Sequence, residues 1–399
     1  MIRTYAFLFF SLFCTIGLTA QTADIQITPL GTITDTAALT AMEYTAAIWE
    51  QHLNSSVPIK VNVAFFPVSG LFLGFTFPNG RRDFPGAPQE NTWYPSCLAN
   101  ALTGMELNPG ESDMDIVIAA DANWYFGTDG QPGPGKYDFV SVLLHEIGHG
   151  LGIVSLADSY NGEGSFGMID FTQFQPFAPT FPIPQLAGLP GAYDRLLTTG
   201  SGQVLTDTQS FPNPSALLHA TFTGSNVFYS GTEGVLANGG QSVKVFAPAT
   251  FTFGTSISHL DESQYPVSSG NALMTPYIGA GNVTQEPGPI ALGILHDIGW
   301  GLVSQVTVRP TTAPLPIEIW GIDGHSVLRL DLPEACDLEL RLVDAMGRTR
   351  YTRPYAQLPA GPQLLPLEEA LEHLSAGYYV VQVRALGQNG ACGMVIFPE

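Results

Sequence analysis

Basic side chains are scarce in this 399-residue chain, where 14 Lys and Arg stand against 35 Asp and Glu for a formal net charge of −21. So acidic a balance excludes nucleic acid and anionic membrane surfaces as partners, because both select for basic faces. Cysteine is scarce too, with four in all. Past residue 20 only Cys97, Cys336 and Cys392 remain, none in a CxxC pair, which is too few for a disulfide scaffold. Export would permit the two late cysteines to pair within one domain and leave Cys97 free. Long apolar runs are missing apart from the opening "MIRTYAFLFFSLFCTIGLTA". Its apolar run of about fifteen residues is too short to span a bilayer and reads as a cleaved secretory signal over residues 1–20. "SLFC" lacks the small residues that a lipoprotein signal places before its cysteine. The expectation is a soluble exported product with no transmembrane segment.

What the chain does contain is 43 Gly and 31 Pro within an apolar content of 45%. That describes an ordered, loop-rich protein with room for two or three domains. Helical spacing of apolar residues behind Thr34 and Asp35 predicts a helix over 36–53, and "VPIKVNVAFF" reads as a strand. "MDIVIAADANWYFG", 114–127, reads as a second strand before the loop "GTDGQPGPGKYD". With Asp138 as cap, "FVSVLLHEIGHGL" predicts a helix that Gly152 ends. Residues 156–256 show short apolar pieces broken by Pro, Gly, Asn and Ser, an irregular or β-rich insertion without a helical period. Residues 286–300 read as a further helix, with Pro289 in its first turn. Beyond the linker "VTVRPTTAPLP" the composition shifts, with seven of the eleven Arg between 309 and 384 and Leu338, Leu340 and Leu342 on one strand face. Residues 304–399 are therefore expected to form a separate small β domain.

The chemistry concentrates in "LLHEIGHGLG". His145 and His149, four apart on a helix, project from one face and converge on a point that suits zinc. Glu146 lies to the side of that point, where a carboxylate can take a proton from water and pass it to a leaving amine. Two His and a Glu among Val142, Leu143, Leu144, Ile147 and Leu151 would be costly to bury without a partner such as a metal. Two imidazoles and a water leave zinc one ligand short. Where such signatures usually carry a third histidine, three residues after Gly152, this chain has Ser155. The other histidines past the signal are His52, His219, His259, His296, His325 and His373, and Asp261 or Glu262 could ligate instead. His259 stands out because "SHLDESQYPVSSGNALMTP" follows it, placing Met274 in a turn before Pro276.

HExxHxxG, a late histidine, a methionine turn and a following "GPIALGILHDIGW" resemble the metzincin metalloproteases, specifically the leishmanolysin-like branch, in which an insertion separates the glycine from the third histidine. The resemblance covers about residues 36–303. It implies an α+β catalytic domain over 21–303, a twisted sheet with an active-site helix and a C-terminal helix, carrying 156–256 as a large β-rich insertion. It also implies His145, His149 and His259 as zinc ligands, Glu146 as general base and acid, and Met274 as the apolar floor beneath the metal. A tyrosine often assists the oxyanion in such enzymes, and Tyr265 and Tyr277 are both near. The 114–127 strand would pair with an extended substrate at the sheet edge, with an interior position as the alternative. Residues 275–282 would then wall the pocket beyond the cut bond. Between the end of the signal at residue 20 and the first helix there is no cysteine to block the zinc.

The tail segments "LRLVDAMGRTRY", "LPAGPQLLPL" and "LSAGYYVVQVRA" resemble the C-terminal sorting domain of the type IX secretion system. That implies a small all-β sandwich, recognition by secretion machinery, and a bacterial product sent to the cell surface or the medium. The expected function is a secreted zinc endopeptidase acting on extracellular proteins or peptides. The opposing expectation is a non-enzymatic adhesin or binding protein with a structural or vestigial metal site. Calcium would find oxygen ligands in the Asp/Gly-rich loops, but no EF-hand spacing is present.

Overall fold

The computed structural model describes residues 22–31, 35–68, 70, 72–169 and 188–303, and in the C-terminal part 317–322, 325–344, 349–367, 369, 374, 377–385 and 388–396. The expected signal at 1–20 and the linker at 306–316 lie outside the described residues, as does part of the insertion. The chain is α+β and divides into two compact units, Met1–Ser304 and Gln305–Glu399. Among the described residues no helix is long and apolar enough to cross a membrane.

The first unit is organised by a four-stranded sheet. Strands β1 (Ile25–Leu30), β2 (Ile59–Phe66), β3 (Gly74–Pro78) and β4 (Met114–Ala119) stand in the order β1-β2-β4-β3. The first three neighbours run parallel, and β3 is antiparallel to β4 at the edge. Strand β2 alternates Ile59, Val61 and Val63, all buried, with partly exposed neighbours, so one face of the sheet is a core face. β4 departs from the sequence expectation: it is short, flanked on both sides, and cannot offer an edge to substrate. Its near-continuous apolar run is that of a strand covered on both faces.

Helix α1 (Thr36–Glu50) starts on Asp35, whose Oδ1 accepts from the Ala37 amide at 2.9 Å. Helix α2 (Ser96–Thr103) and the central helix α3 (Phe139–Leu151) pack in the same core. Two indoles fix α3 at points two turns apart. Trp49 on α1 donates to the Leu144 carbonyl at 3.0 Å, and Trp300 donates to the Leu151 carbonyl at 2.8 Å. Each indole is fully buried, so its area and its satisfied N–H both favour this one placement of α3.

The segment 156–256 is not purely β-rich. It holds a hairpin of Ala157–Tyr160 with Glu163–Phe166 and three short strands, Leu197–Thr199, Val227–Tyr229 and Val243–Lys244. It also holds two helices, α4 (Ala216–Phe222) and α5 (Thr232–Ala237). At seven and six residues they are too short to show an apolar period, although Ser215 caps α4 by accepting from Leu218 N at 3.1 Å. Nor is the segment self-contained: Leu197, Phe222, Val227 and Tyr229 belong to the same core as Leu144 and Ile147 of α3. Helix α6 (Gly288–Ile298) joins it there, and Asp297 caps α5 by accepting from Glu233 N at 2.8 Å and Gly234 N at 2.9 Å.

The second unit consists of antiparallel strands in two sheets. One contains Ile317–Ile322, His325–Leu332 and Gly361–Pro366; the other contains Thr349–Leu358, Cys336–Asp344, Gly377–Ala385 and Gln388–Ile396. Leu328 and Leu330 from the first share one core with Leu338, Leu340, Leu342, Val381 and Val383 from the second. A disulfide between Cys336 and Cys392 is ruled out by register. Cys392 lies opposite Val381, and Val381 opposite Leu342, so Cys336 is six positions away along its strand. At about 3.3 Å per residue that is roughly 20 Å, far beyond the reach of an S–S bond. Cys97 and Cys336 are both free and buried.

Candidate metal centre

The sequence of α3 explains how its histidines are presented. Asp138 Oδ2 accepts from Ser141 N at 3.0 Å and Ser141 Oγ at 2.6 Å, fixing the first turn. Two turns on, His145 and His149 share one face, while Glu146 points about 100° round the helix toward β3. The glycines on either side of His149 admit methionine. A Cβ on Gly148 would stand 2.7 Å from Met274 Sδ, and one on Gly150 would stand 2.1 Å from Met114 Sδ. Gly152 ends the helix at φ +123°, a value few side chains tolerate, and a Cβ there would meet Ile298 Cδ1 at 2.6 Å. The resulting reversal turns the Ile153 carbonyl back to His149 Nδ1 at 2.7 Å.

His259 arrives from 110 residues further on. Its Nε2 is 3.1 Å from His145 Nε2 and 3.2 Å from His149 Nε2, and the latter two are 3.0 Å apart. The turn that carries it holds Ile257 at φ +70°, a left-handed position that a β-branched residue occupies at a cost on the order of 1–3 kcal/mol. Complete burial of the Ile257 side chain and the hydrogen bond its amide donates to the Phe246 carbonyl at 2.8 Å offset that strain.

Each Nδ1 faces a backbone carbonyl: His145 to Leu273 at 2.5 Å, His149 to Ile153 at 2.7 Å, and His259 to Thr255 at 2.8 Å. Carbonyls only accept, so all three imidazoles carry their proton on Nδ1 when neutral and turn bare Nε2 lone pairs toward one another. Burial favours the neutral form throughout, holding His145 down to about 4, His259 to about 3 and His149 well below its ordinary value. Three lone pairs at 3.0–3.2 Å repel unless a cation lies among them. Three nitrogens about 2.0–2.1 Å from one tetrahedral zinc stand about 3.3 Å apart, close to the triangle found. The trio could hold a metal ion, and among the described residues it is the one such cluster of His, Cys, Asp and Glu.

Glu146 is 4% exposed, and burial pushes its carboxyl up to about 8 against the lowering effect of a Thr76 hydrogen bond. Thr76 Oγ lies 2.7 Å from Glu146 Oε2 and 2.9 Å from the Glu146 carbonyl. The trio and Glu146 floor a cavity of about 590 Å³ between the edge strand β3 and the segments around 253–259 and 272–278. Phe72, Phe75, Val142, Tyr277 and Ile278 supply much of its apolar wall, and among the described residues no Lys or Arg lines it.

Comparison with known proteins reaches only part of this site. An SPBPB7E8-like family matches residues 89–169, which hold His145, Glu146, His149 and Ser155 but stop short of His259. An uncharacterized protein of the fission yeast Schizosaccharomyces pombe is 38% identical over 109 residues, 26% of this chain. The matched part is 17% of the length of that relative. Neither name assigns an activity.

Other sequence candidates fall elsewhere. His219 is 2.6 Å from Ser159 Oγ, His296 is exposed at the end of α6, and His52 is half-buried. The side chain of His325 and all of His373 lie outside the described residues. Asp261 accepts from Ser263 N at 3.0 Å and Ser263 Oγ at 2.5 Å, closing a turn, and Glu262 is exposed. Tyr265 is buried, its hydroxyl accepting from Lys244 N at 3.1 Å, whereas Tyr277 is 60% exposed and lines the cavity. Met274 is fully buried, with its carbonyl accepting from Leu260 N at 2.8 Å. Ser155, at the position of the missing third histidine, is a tie. Its amide donates to Ser258 Oγ at 3.1 Å, and its hydroxyl donates to Asp194 Oδ1 at 2.6 Å. Sequence reasoning missed Gly74 and Thr76 of β3, whose only signal is a short aromatic run between glycine and proline.

Proposed function

We propose that the first unit is a zinc-dependent endopeptidase of metzincin architecture, with His145, His149 and His259 holding the metal. The observation that carries this reading is the set of three neutral imidazoles, two of them buried and His145 partly so, each locked by its Nδ1, converging beside the buried carboxyl of Glu146 at the floor of an open cleft. Zinc held there would supply Lewis acidity, acidifying water and polarising a peptide carbonyl.

The chain's own groups do the rest. With a cation among the histidines, the Glu146 carboxyl returns to its charged form, in which it takes a proton from water and delivers it to the departing amine nitrogen. The edge strand β3 offers main-chain groups to an extended peptide, a role that belongs to Gly74–Pro78 rather than to 114–127. Of the two candidate tyrosines, Tyr277 lines the cleft and Tyr265 does not, so Tyr277 is the one to donate its hydroxyl to the developing oxyanion. Met274 packs beneath the histidine helix through the gap at Gly148. Apolar walls with no cation among the described residues suit peptide segments with bulky apolar residues.

The second unit fits an export role, read from its strand motifs and its two-sheet packing. Deleting residues 305–399 and following the product between cell and medium tests that role. For the enzyme, Glu146→Gln with full zinc content is expected to abolish cleavage of unfolded protein substrates. Cleavage at the wild-type rate by that variant would sink the mechanism, and a wild-type protein that binds zinc yet cleaves nothing would favour a binding protein.

A further inference from the structure

Gly74 and Thr76 lie on the same side of the edge strand β3, as residues two apart do, and both meet Glu146. Thr76 Oγ is within hydrogen-bond distance of Glu146 Oε2 and of the Glu146 carbonyl, 2.7 and 2.9 Å away. On the other side of the carboxyl, a Cβ on Gly74 would stand 2.5 Å from Oε1, 2.7 Å from Cγ and 2.8 Å from Cδ. One carboxylate oxygen is therefore held by a hydroxyl and the other rests against bare backbone. No larger residue at 74 leaves Glu146 where it is.

Resting on the endopeptidase reading, we propose that Thr76 is the positioning residue for proton transfer by Glu146, and that the glycine at 74 is required for the same placement. Removing the hydroxyl leaves the carboxylate free to turn about its own side-chain bonds, so its proton is less often aligned with the reacting atoms. Because β3 also borders the cleft as its edge strand, the strand that pairs with a peptide is the strand that aims the carboxylate. The effect belongs on turnover rather than on ground-state binding.

The test compares full-length wild type with Thr76→Val, Thr76→Ser, Gly74→Ala and Glu146→Gln. For each, kcat and KM on a fluorogenic apolar peptide and bound zinc are measured. Thr76→Val and Gly74→Ala are expected to lower kcat about 10- to 100-fold, the range for lost outer-shell partners, with zinc retained and KM little changed. Thr76→Ser keeps the hydroxyl and is expected to stay near wild type. A second readout needs no activity: in metal-free protein, Thr76→Val should shift the melting midpoint more in the wild-type background than in Glu146→Ala. Unchanged kcat in Thr76→Val, a rise in KM alone, or equal midpoint shifts in both backgrounds would overturn the proposal. A wild type that cleaves nothing, or Glu146→Gln that cleaves as well as wild type, overturns the endopeptidase reading instead, and the midpoint comparison then still decides whether the hydroxyl holds the carboxylate.

Discussion

The Ser155 amide donates to the Ser258 hydroxyl at 3.1 Å, so the residue standing where a third histidine is expected instead anchors the neighbour of the histidine that joins the site. Its own hydroxyl bonds Asp194, whose other oxygen accepts from Leu156 N at 3.0 Å and Gly191 N at 2.8 Å. A loop of more than a hundred residues costs only slightly more entropy to close than one half as long. Placement is therefore decided by ties such as this one and by the shared core. Asp194→Ala strands two buried amides and a hydroxyl, and is expected to lower unfolding free energy by about 2–4 kcal/mol in urea titrations. An effect under about 0.5 kcal/mol, the size of a bland surface change, would mean the tie does not hold the loop.

Asp194 also sets a pH dependence. Burial raises its carboxyl to about 6 despite three hydrogen bonds that favour the charged form. The folded state then keeps the proton where the unfolded chain has released it. This contribution to stability is complete below pH 4 and is lost as pH rises through 6, a change on the order of 3 kcal/mol. Asp113, raised to about 6 by the same cause, acts in the same direction and is common to wild type and variant. The stability difference between wild type and Asp194→Asn should therefore drift by that amount between pH 4 and 7, falling against wild type as pH rises. A constant difference would place the folded-state pKa near its ordinary value.

Where local chemistry dictates structure, the sequence was legible. Helix α3 occupies Phe139–Leu151 between the Asp138 cap and Gly152, as its pattern requires, and α6 lies within the expected 286–300. What stayed hidden depends on partners far along the chain. "GFTFP" forms the edge strand only because β4 offers it an antiparallel partner, while "MDIVIA", the more strand-like stretch, is enclosed on both sides for the same reason. His259 was visible through the methionine turn after it, but the Ser155 and Ser258 bond that delivers it has no linear signature. Thr76 was invisible, since one hydroxyl in a short strand has no pattern.

Removing His259 tests the trio without reference to catalysis. Two imidazoles remain on α3, and their Nδ1 bonds to Leu273 and Ile153 are untouched by a change at 259. His259→Ala is expected to cut zinc affinity by more than the roughly 10- to 100-fold lost with an outer-shell partner. After equal dialysis of the full chain, wild type should keep about one zinc and the variant almost none. Equal zinc in both would hand the third position to another residue.

The helix glycines offer a final test, because two effects oppose there. Replacing Gly150 by Ala gains about 1 kcal/mol of helix propensity, and at an exposed site it would stabilise. Here the added Cβ would lie 2.1, 2.6 and 3.1 Å from Met114 Sδ, Cε and Cγ, inside a strand whose side chain is fully buried. Overpacking of this kind costs about 1–3 kcal/mol, and Met114 is itself fully buried. Overpacking should win, with Gly150→Ala less stable by about 1–2 kcal/mol in urea. Adding Met114→Ala removes the clash and leaves a cavity of its own, so the double variant should lose less than the sum of the two single losses. Strict additivity would show that Gly150 and Met114 do not share that space.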